Sequence, residues 1–236
     1  MSDDKTRLPT QPHAAEVDAF LRDLQKAPAP RRDGGRGRLI FALDATASRE
    51  PSWDRACRIQ GEMFEATAAL GGLDVKLVYY RGFNECKASR WMANAADLHG
   101  AMRRVSCLGG HTQIDRVLAH ALAETKRRRV NALVFVGDAM EEEVDRLCQL
   151  AGELGLNGVP VFVFHEGGNR IAAQAFQQIA KLSRGAYLRF DLASADRLKD
   201  LLAAVAVYAA GGLRALADYG DRKGGEVLRL TSQLRG

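Results

Sequence analysis

From residue 38 onward, short apolar runs alternate with segments of helical periodicity, and this alternation limits the possible folds more than any other feature. The run Leu39 to Leu43 is apolar at every position, which is typical of a strand buried on both faces. The clearest helical pattern has apolar residues spaced i, i+3, i+4, i+7 and i+8, at Ile114, Val117, Leu118, Ala121 and Leu122. Strands that alternate with helices favour a three-layer, doubly wound α/β fold of Rossmann type.

The pattern predicts a mainly parallel sheet of six strands, at 39–43, 75–80, 87–92, 130–136, 159–164 and 186–190. The second and third strands are joined by Gly82 to Glu85, which is too short for a crossover helix. We therefore expect the third strand to be an antiparallel edge strand. Helices are predicted at 53–70, 95–104, from Ile114 onward, and at 142–154, 171–182 and 194–209.

The chain divides into three parts. Residues 1–35 form an N-terminal extension, with a short amphipathic helix at 14–24 followed by a linker rich in Pro, Gly and Arg. This helix could dock a partner or pack on the chain's own domain. Residues 36–210 form the α/β domain, and residues 211–236 form a C-terminal tail without an assignment.

Composition excludes several classes of protein. With 47% hydrophobic and 27% charged residues, the chain resembles an ordinary globular protein. Its first residues carry no secretory signal and no uninterrupted apolar run approaches about 20 residues, so we expect a cytoplasmic protein without a membrane span.

The four cysteines contain no C-x-x-C pair and are expected to be buried free thiols. The net charge is +5, but the basic run 126–129 falls at a predicted helix end, so nucleic-acid binding is not expected.

Oxygen-bearing side chains cluster where predicted strands end or helices begin. Asp44, Thr46 and Ser48 follow the first strand, Thr112 follows two glycines, and Asp138 follows the strand 130–136. In an open α/β sheet these loops share one edge, where ligands bind. Carboxylates and hydroxyls are hard donors, which favours Mg²⁺ or Mn²⁺, less so Ca²⁺, over zinc.

The order and spacing of these five residues resemble the metal-ion-dependent adhesion site (MIDAS) of von Willebrand factor type A (VWA) domains. The resemblance covers roughly residues 37 to 209 and includes the antiparallel edge strand. One departure is Thr46, where the family more commonly has serine, and another is the acidic loop 139–143.

The resemblance implies how such a site would work. The hydroxyls of Thr46, Ser48 and Thr112 would contact the metal directly or switch in and out of contact with it, while Asp44 and Asp138 would act largely through water. One coordination position is left for an Asp or Glu carboxylate of a partner protein, and no bond is made or broken. Intracellular members of the family often work beside ATPases or chaperone-like machines, so a partner of that kind is expected by analogy. The composition, rich in Ala, Arg and Gly, favours a bacterial source.

Other interpretations of these residues stay open. Asp44, Thr46, Ser48 and Thr112 could each cap a following helix. Asp44 could alternatively be the nucleophile of an Mg²⁺-dependent phosphotransfer or phosphatase enzyme. Such enzymes need an acidic residue two positions later, where this chain has threonine, so we do not expect an enzyme. A third alternative is a structural domain that has lost its metal. His165 and Glu166 are possible additional contacts at the same edge.

Overall fold

A six-stranded sheet organises the part of the chain that the structure, a computed structural model, describes: residues 14–27, 36–50, 53, 65–66, 72–190 and 195–223. The strands are β1 (Gly37–Asp44), β2 (Leu73–Arg81), β3 (Glu85–Met92), β4 (Ala132–Gly137), β5 (Val161–Glu166) and β6 (Ala186–Phe190). Their order across the sheet is β3-β2-β1-β4-β5-β6. Only the pairing of β3 with β2 is antiparallel. The predicted mixed sheet with one antiparallel edge strand is thereby confirmed.

Helices follow most strands, close to the predicted positions. They are α1 (Ala14–Lys26), α2 (Ala95–Met102), α3 (Ile114–Arg127), α4 (Val144–Leu156), α5 (Arg170–Leu182) and α6 (Ala195–Lys223). A short 3₁₀ turn, Ala47–Arg49, follows β1. The helix predicted at 53–70 lies outside the described residues apart from three positions.

The sheet is covered on both faces, because β1 sends successive side chains to opposite sides. Leu39, Phe41 and Leu43 pack against α1, α2 and α6 on one face. Ile40 and Ala42 pack against α3, α4 and α5 on the other face. These two apolar layers explain why β1 has no polar alternation: neither of its faces meets water.

Helix α1 packs on the chain's own domain, which was one of the two alternatives for this segment. It contacts β6, and Phe20 is fully buried. The ring centroid of Phe20 lies 5.3 Å from that of Phe164 and 6.2 Å from that of Phe162. The amphipathic pattern at 14–24 therefore marks a helix that completes the core beside β5 and β6.

Helix α6 extends past the predicted end at residue 209 and continues to Lys223. Gly212, with φ of 75°, interrupts its helical geometry. A side chain at Gly37 would clash with the backbone of Ala210, so glycine at the start of β1 lets this helix lie close to the sheet. By length and composition alone the stretch Leu198–Tyr219 could cross a membrane, but most of it is buried within the fold, as in a core helix.

The described cysteines differ from the expected buried thiols. Cys86, Cys107 and Cys148 are free, as predicted, but each is half-buried instead of fully buried. Burial raises the pKa of the Cys86 and Cys148 thiols, which keeps them protonated and poorly nucleophilic at neutral pH. Cys57 lies outside the described residues.

The packing of α1 predicts that Phe20→Ala will lower the free energy of unfolding by about 3–5 kcal/mol, because it leaves a cavity against two other rings. Urea unfolding followed by circular dichroism measures this loss. Leu156→Ala is the control, since its side chain is 86% exposed, and it should change stability by less than about 0.5 kcal/mol. Equal midpoints for the two variants would show that α1 contributes nothing to the core.

Candidate metal centre

The carboxyl ends of β1, β2, β4 and β5 meet at one edge of the sheet, which we call the rim. The register pairs Asp44 with Tyr80 and Gly137 with His165, so Asp138 lies next to the end of β5. Ligand sites of open α/β folds form in such loops. The rim consists of residues 44–49, 82–84, 107–113, 138–143 and 166–169 and contains all five sequence-predicted ligands.

Asp44 is fully buried at the end of β1. Its Oδ1 accepts a hydrogen bond from the Thr46 N–H at 2.7 Å, and its Oδ2 accepts one from the Tyr80 hydroxyl at 3.0 Å. Burial raises the pKa of the Asp44 carboxyl and the charge of Asp138 adds to this, while the hydrogen bonds from Thr46 and Tyr80 oppose it. The rim thus holds a carboxylate that is costly to ionise unless positive charge is close by.

Thr46 and Ser48 bring their hydroxyl oxygens to within 3.2 Å of each other. The backbone N–H of Arg49 donates to the Thr46 carbonyl at 3.0 Å, which closes the 3₁₀ turn Ala47–Arg49. Thr46 precedes this turn, but its side chain makes no capping hydrogen bond. Its hydroxyl faces that of Ser48 instead. The helix predicted at 53–70, which Thr46 or Ser48 could cap, lies outside the described residues apart from three positions, so that alternative stays a prediction.

Thr112 is held in place by a close contact between two loops. A side chain at Gly110 would clash with the backbone of Gly82, so the loop before α3 can approach the β2–β3 turn only with glycine there. The N–H of His111 and the side chain of Gln113 donate to the Gly82 carbonyl, both at 3.2 Å. This contact fixes the position of Thr112 on the rim.

The acidic loop 139–143 holds Thr112 in place through hydrogen bonds. The Thr112 hydroxyl donates to Glu142 Oε2 at 2.5 Å, and its N–H donates to Glu141 Oε2 at 2.9 Å. The other carboxylate oxygen of Glu142 accepts from the N–H of Ile114, the first residue of α3. Glu142 thus caps α3, and the capping role considered for Thr112 is wrong.

Asp138 is half-buried at the end of β4, and its Oδ1 is buried without a hydrogen-bond partner among the described residues. A buried acceptor without a donor is destabilising unless a further group satisfies it. Asp138 and Asp44 both act electrostatically on Tyr80, whose pKa burial raises well above its usual value. The two aspartates therefore belong to one charged cluster.

Arg49 and Glu166 form a buried ion pair at the same edge. Arg49 is only 2% exposed. Burial lowers the pKa of its guanidinium, while the carboxylates of Asp138 and Asp44 raise it. His165, considered above as a rim contact, is fully buried, and its Nδ1 lies 2.8 Å from the Tyr187 hydroxyl oxygen. Burial lowers the pKa of His165, so it is a neutral core residue and not a contact for a partner.

The donors suit a hard divalent cation. The described residues contain no group of three or more His, Cys, Asp or Glu side chains arranged to hold a metal by themselves. Threonine and serine hydroxyls would therefore have to complete any metal shell here. The unpaired Oδ1 of Asp138 and the paired hydroxyls of Thr46 and Ser48 fit such an ion.

Sequence reasoning missed Tyr80 and Arg49. It named Glu166 only as a possible contact, and Glu142 only as part of the acidic loop 139–143. Tyr80 could have been found as the last tyrosine of a strand that ends beside β1. The acidic run 141–143 signalled Glu142, but its connection to Thr112 spans 30 residues and depends on the fold. The Arg49–Glu166 pair carries no local sequence signal.

Comparisons with known proteins identify relatives only at the level of structure. No family model and no curated protein matches the sequence. Solved structures do match the fold. The SpRpn10 VWA domain aligns with a TM-score of 0.55 at 13% identity and covers 66% of this chain and 88% of that domain. A von Willebrand factor type A protein from Catenulispora acidiphila aligns with a TM-score of 0.57 at 15% identity, covering 72% of this chain and 42% of that one.

A further match is proximal thread matrix protein 1 from the mussel byssus, with a TM-score of 0.59 and 15% identity over 73% of this chain and 46% of that one. That protein is also known with a zinc-occupied MIDAS motif. This chain spans less than half of the length of these last two relatives. Identities this low establish the fold alone, and that fold agrees with the prediction from the sequence: the chain has the von Willebrand factor type A fold.

Proposed function

We propose that this chain is a metal-dependent protein-interaction module. Mg²⁺, or Mn²⁺ in its place, binds on the rim to Asp44, Thr46, Ser48, Thr112 and Asp138 and recruits a carboxylate from a partner protein. The observation that carries the proposal is the buried, unpaired Oδ1 of Asp138 on the same rim as three hydroxyl side chains. A hard cation would satisfy that oxygen.

The choice of donors explains why a partner would be needed. Threonine and serine hydroxyls are neutral, so three of the five proposed ligands bring no charge to the ion. An Mg²⁺ ion held by few charges retains affinity for an additional anion, and its octahedral geometry makes that contact directional. An Asp or Glu side chain of another protein supplies that anion.

Exposed apolar side chains around the rim support a protein as the partner. Among the described residues, six large apolar side chains are exposed, and four of them lie on the rim or within the first two residues of a helix that begins there. Exposed apolar groups that surround a polar centre are typical of protein interfaces. The four are Phe83, Leu108, Val144 and Ile171, which are 40–68% exposed.

The alternative, a phosphotransfer enzyme using Asp44, is disfavoured by the setting of that residue. Asp44 has no exposed surface, and both of its oxygens already accept hydrogen bonds from Thr46 and Tyr80. An attacking carboxylate needs a free oxygen within reach of its substrate.

A domain that has lost its metal is the other alternative. Thermal melts with and without metal distinguish it from the proposal.

The setting of the module is part of the same proposal. By analogy with intracellular VWA proteins, the partner belongs to an ATPase or chaperone-like assembly in a bacterial cytoplasm. Part of the positive charge is neutralised within the fold, which weighs against nucleic acid as the partner: Arg36, Arg38 and Arg81 each pair with a carboxylate.

Metal binding should stabilise the fold. After treatment with a chelator, adding Mg²⁺ or Mn²⁺ to about 100 times its Kd should raise the free energy of unfolding by about 2.7 kcal/mol, or roughly 5–10 °C in Tm. Asp44→Ala and Asp138→Ala should abolish the shift, because each removes a proposed ligand. Thermal melts by circular dichroism measure it.

A matched control for the metal experiment is Asp97→Ala, which removes a carboxylate from the first turn of α2, where it pairs with Arg90. This variant should keep the full metal-induced shift, whatever its own stability. Identical melting curves for the wild-type protein with and without millimolar metal would contradict the proposed site.

The proposal also predicts the chemistry of the partner. Random peptides displayed on phage, bound to the immobilised chain in Mg²⁺ and eluted with EDTA, should converge on an Asp or Glu next to a large apolar residue. The acidic residue binds the metal, and its apolar neighbour covers Phe83 and Leu108. Asp138→Asn should remove the acidic consensus, whereas Phe83→Ser should remove only the apolar one. Enrichment of peptides without any acidic residue would contradict the proposal.

A further inference from the structure

Arg49 occupies an unusual position for a cation. It ends the 3₁₀ turn that carries Ser48, yet its side chain pairs with Glu166 at the end of β5. In the sheet, β4 lies between β1 and β5. Because neighbouring strands are about 4.8 Å apart, a side chain that joins the β1 loop to β5 must cross the end of β4. Asp138 lies at that crossing point.

The environment of Arg49 is almost dry and strongly acidic. Its side chain is 3% exposed and that of Glu166 is 13% exposed. The carboxylates of Asp138 and Asp44 both raise the pKa of Arg49 against the lowering effect of burial. One permanent positive charge is therefore shared among three carboxylates at the ends of β1, β4 and β5. The charge of Glu166 by itself equals that of Arg49, so the two aspartates give this cluster an excess of negative charge.

We propose that Arg49 is a built-in competitor of the metal ion: its guanidinium partly neutralises Asp44 and Asp138 and thereby sets how tightly the rim binds a divalent cation. This inference rests on the proposed function, since it concerns the same two aspartates. In the metal-free protein, the charge of Arg49 lowers the free-energy cost of keeping the Asp44 and Asp138 carboxylates ionised. The same charge repels an arriving ion of charge +2. Loss of this charge should strengthen metal binding.

The experiment is calorimetric titration of MgCl₂ into the chelator-treated full chain. Arg49→Met removes the charge and retains much of the apolar side chain, and it should bind Mg²⁺ at least about tenfold more tightly than wild type. Arg49→Lys retains the charge and should bind as wild type does. Arg36→Met is the matched control, because it removes an arginine paired with Asp74 at the opposite end of β1, and it should leave the affinity unchanged.

The outcomes separate this inference from the proposed function. Tighter binding by Arg49→Met alone supports the inference. Binding by Arg49→Met but not by wild type also supports it, while overturning the metal dependence of the natural chain. Equal affinities for wild type and Arg49→Met, with binding lost in Asp138→Asn, overturn the inference and leave the metal site intact. No binding by any variant overturns both.

A second variant covers the case in which Arg49→Met leaves Glu166 buried, unpaired and too costly for folding. Arg49→Met combined with Glu166→Gln removes both charges of the pair, so no charged Glu166 is left without its partner. Its fold is checked by circular dichroism. This double variant should still bind Mg²⁺ more tightly than wild type, and an affinity equal to that of wild type would contradict the role of Arg49.

Discussion

The arrangement of the rim follows from the burial of one carboxylate. Asp44 has no exposed surface, and an ionised group in such a place is costly unless donors or cations surround it. The Thr46 N–H, the Tyr80 hydroxyl and the nearby Arg49 guanidinium perform that role in the folded chain. A metal ion would be a stronger partner than any of these, so the same constraint that shapes the loop also prepares it for a cation.

Much of the architecture could be predicted because it depends on local patterns. A strand buried on both faces must be apolar throughout, and β1 shows this in five consecutive residues from Leu39 to Leu43. A turn as short as 82–84 allows only an antiparallel connection. The five oxygen-bearing residues were found because they directly follow strands or precede a helix, where the sequence marks the positions of the loops.

What could not be predicted depends on contacts between distant segments. Arg49 reaches Glu166, and Thr112 reaches Glu142, only because the strand order brings their loops together. The extension of α6 beyond Gly212 also has no clear local signal, since glycine there ends the regular periodicity while burial of Leu216 and Tyr219 continues the helix. The sequence thus indicates which residues lie on the rim, but not the partners that determine their charge.

The backbone contact between Gly82 and Gly110 has a consequence for how the rim responds to a load. Phe83 directly follows Gly82 and is exposed. Thr112 lies two residues after Gly110 and is buried. No side chain separates the backbones of the two loops, so a movement of one loop toward the other must move that loop as well. A partner that displaced Phe83 would therefore also displace the loop that positions Thr112, so binding at the aromatic ring and binding at the polar side chains would not be independent.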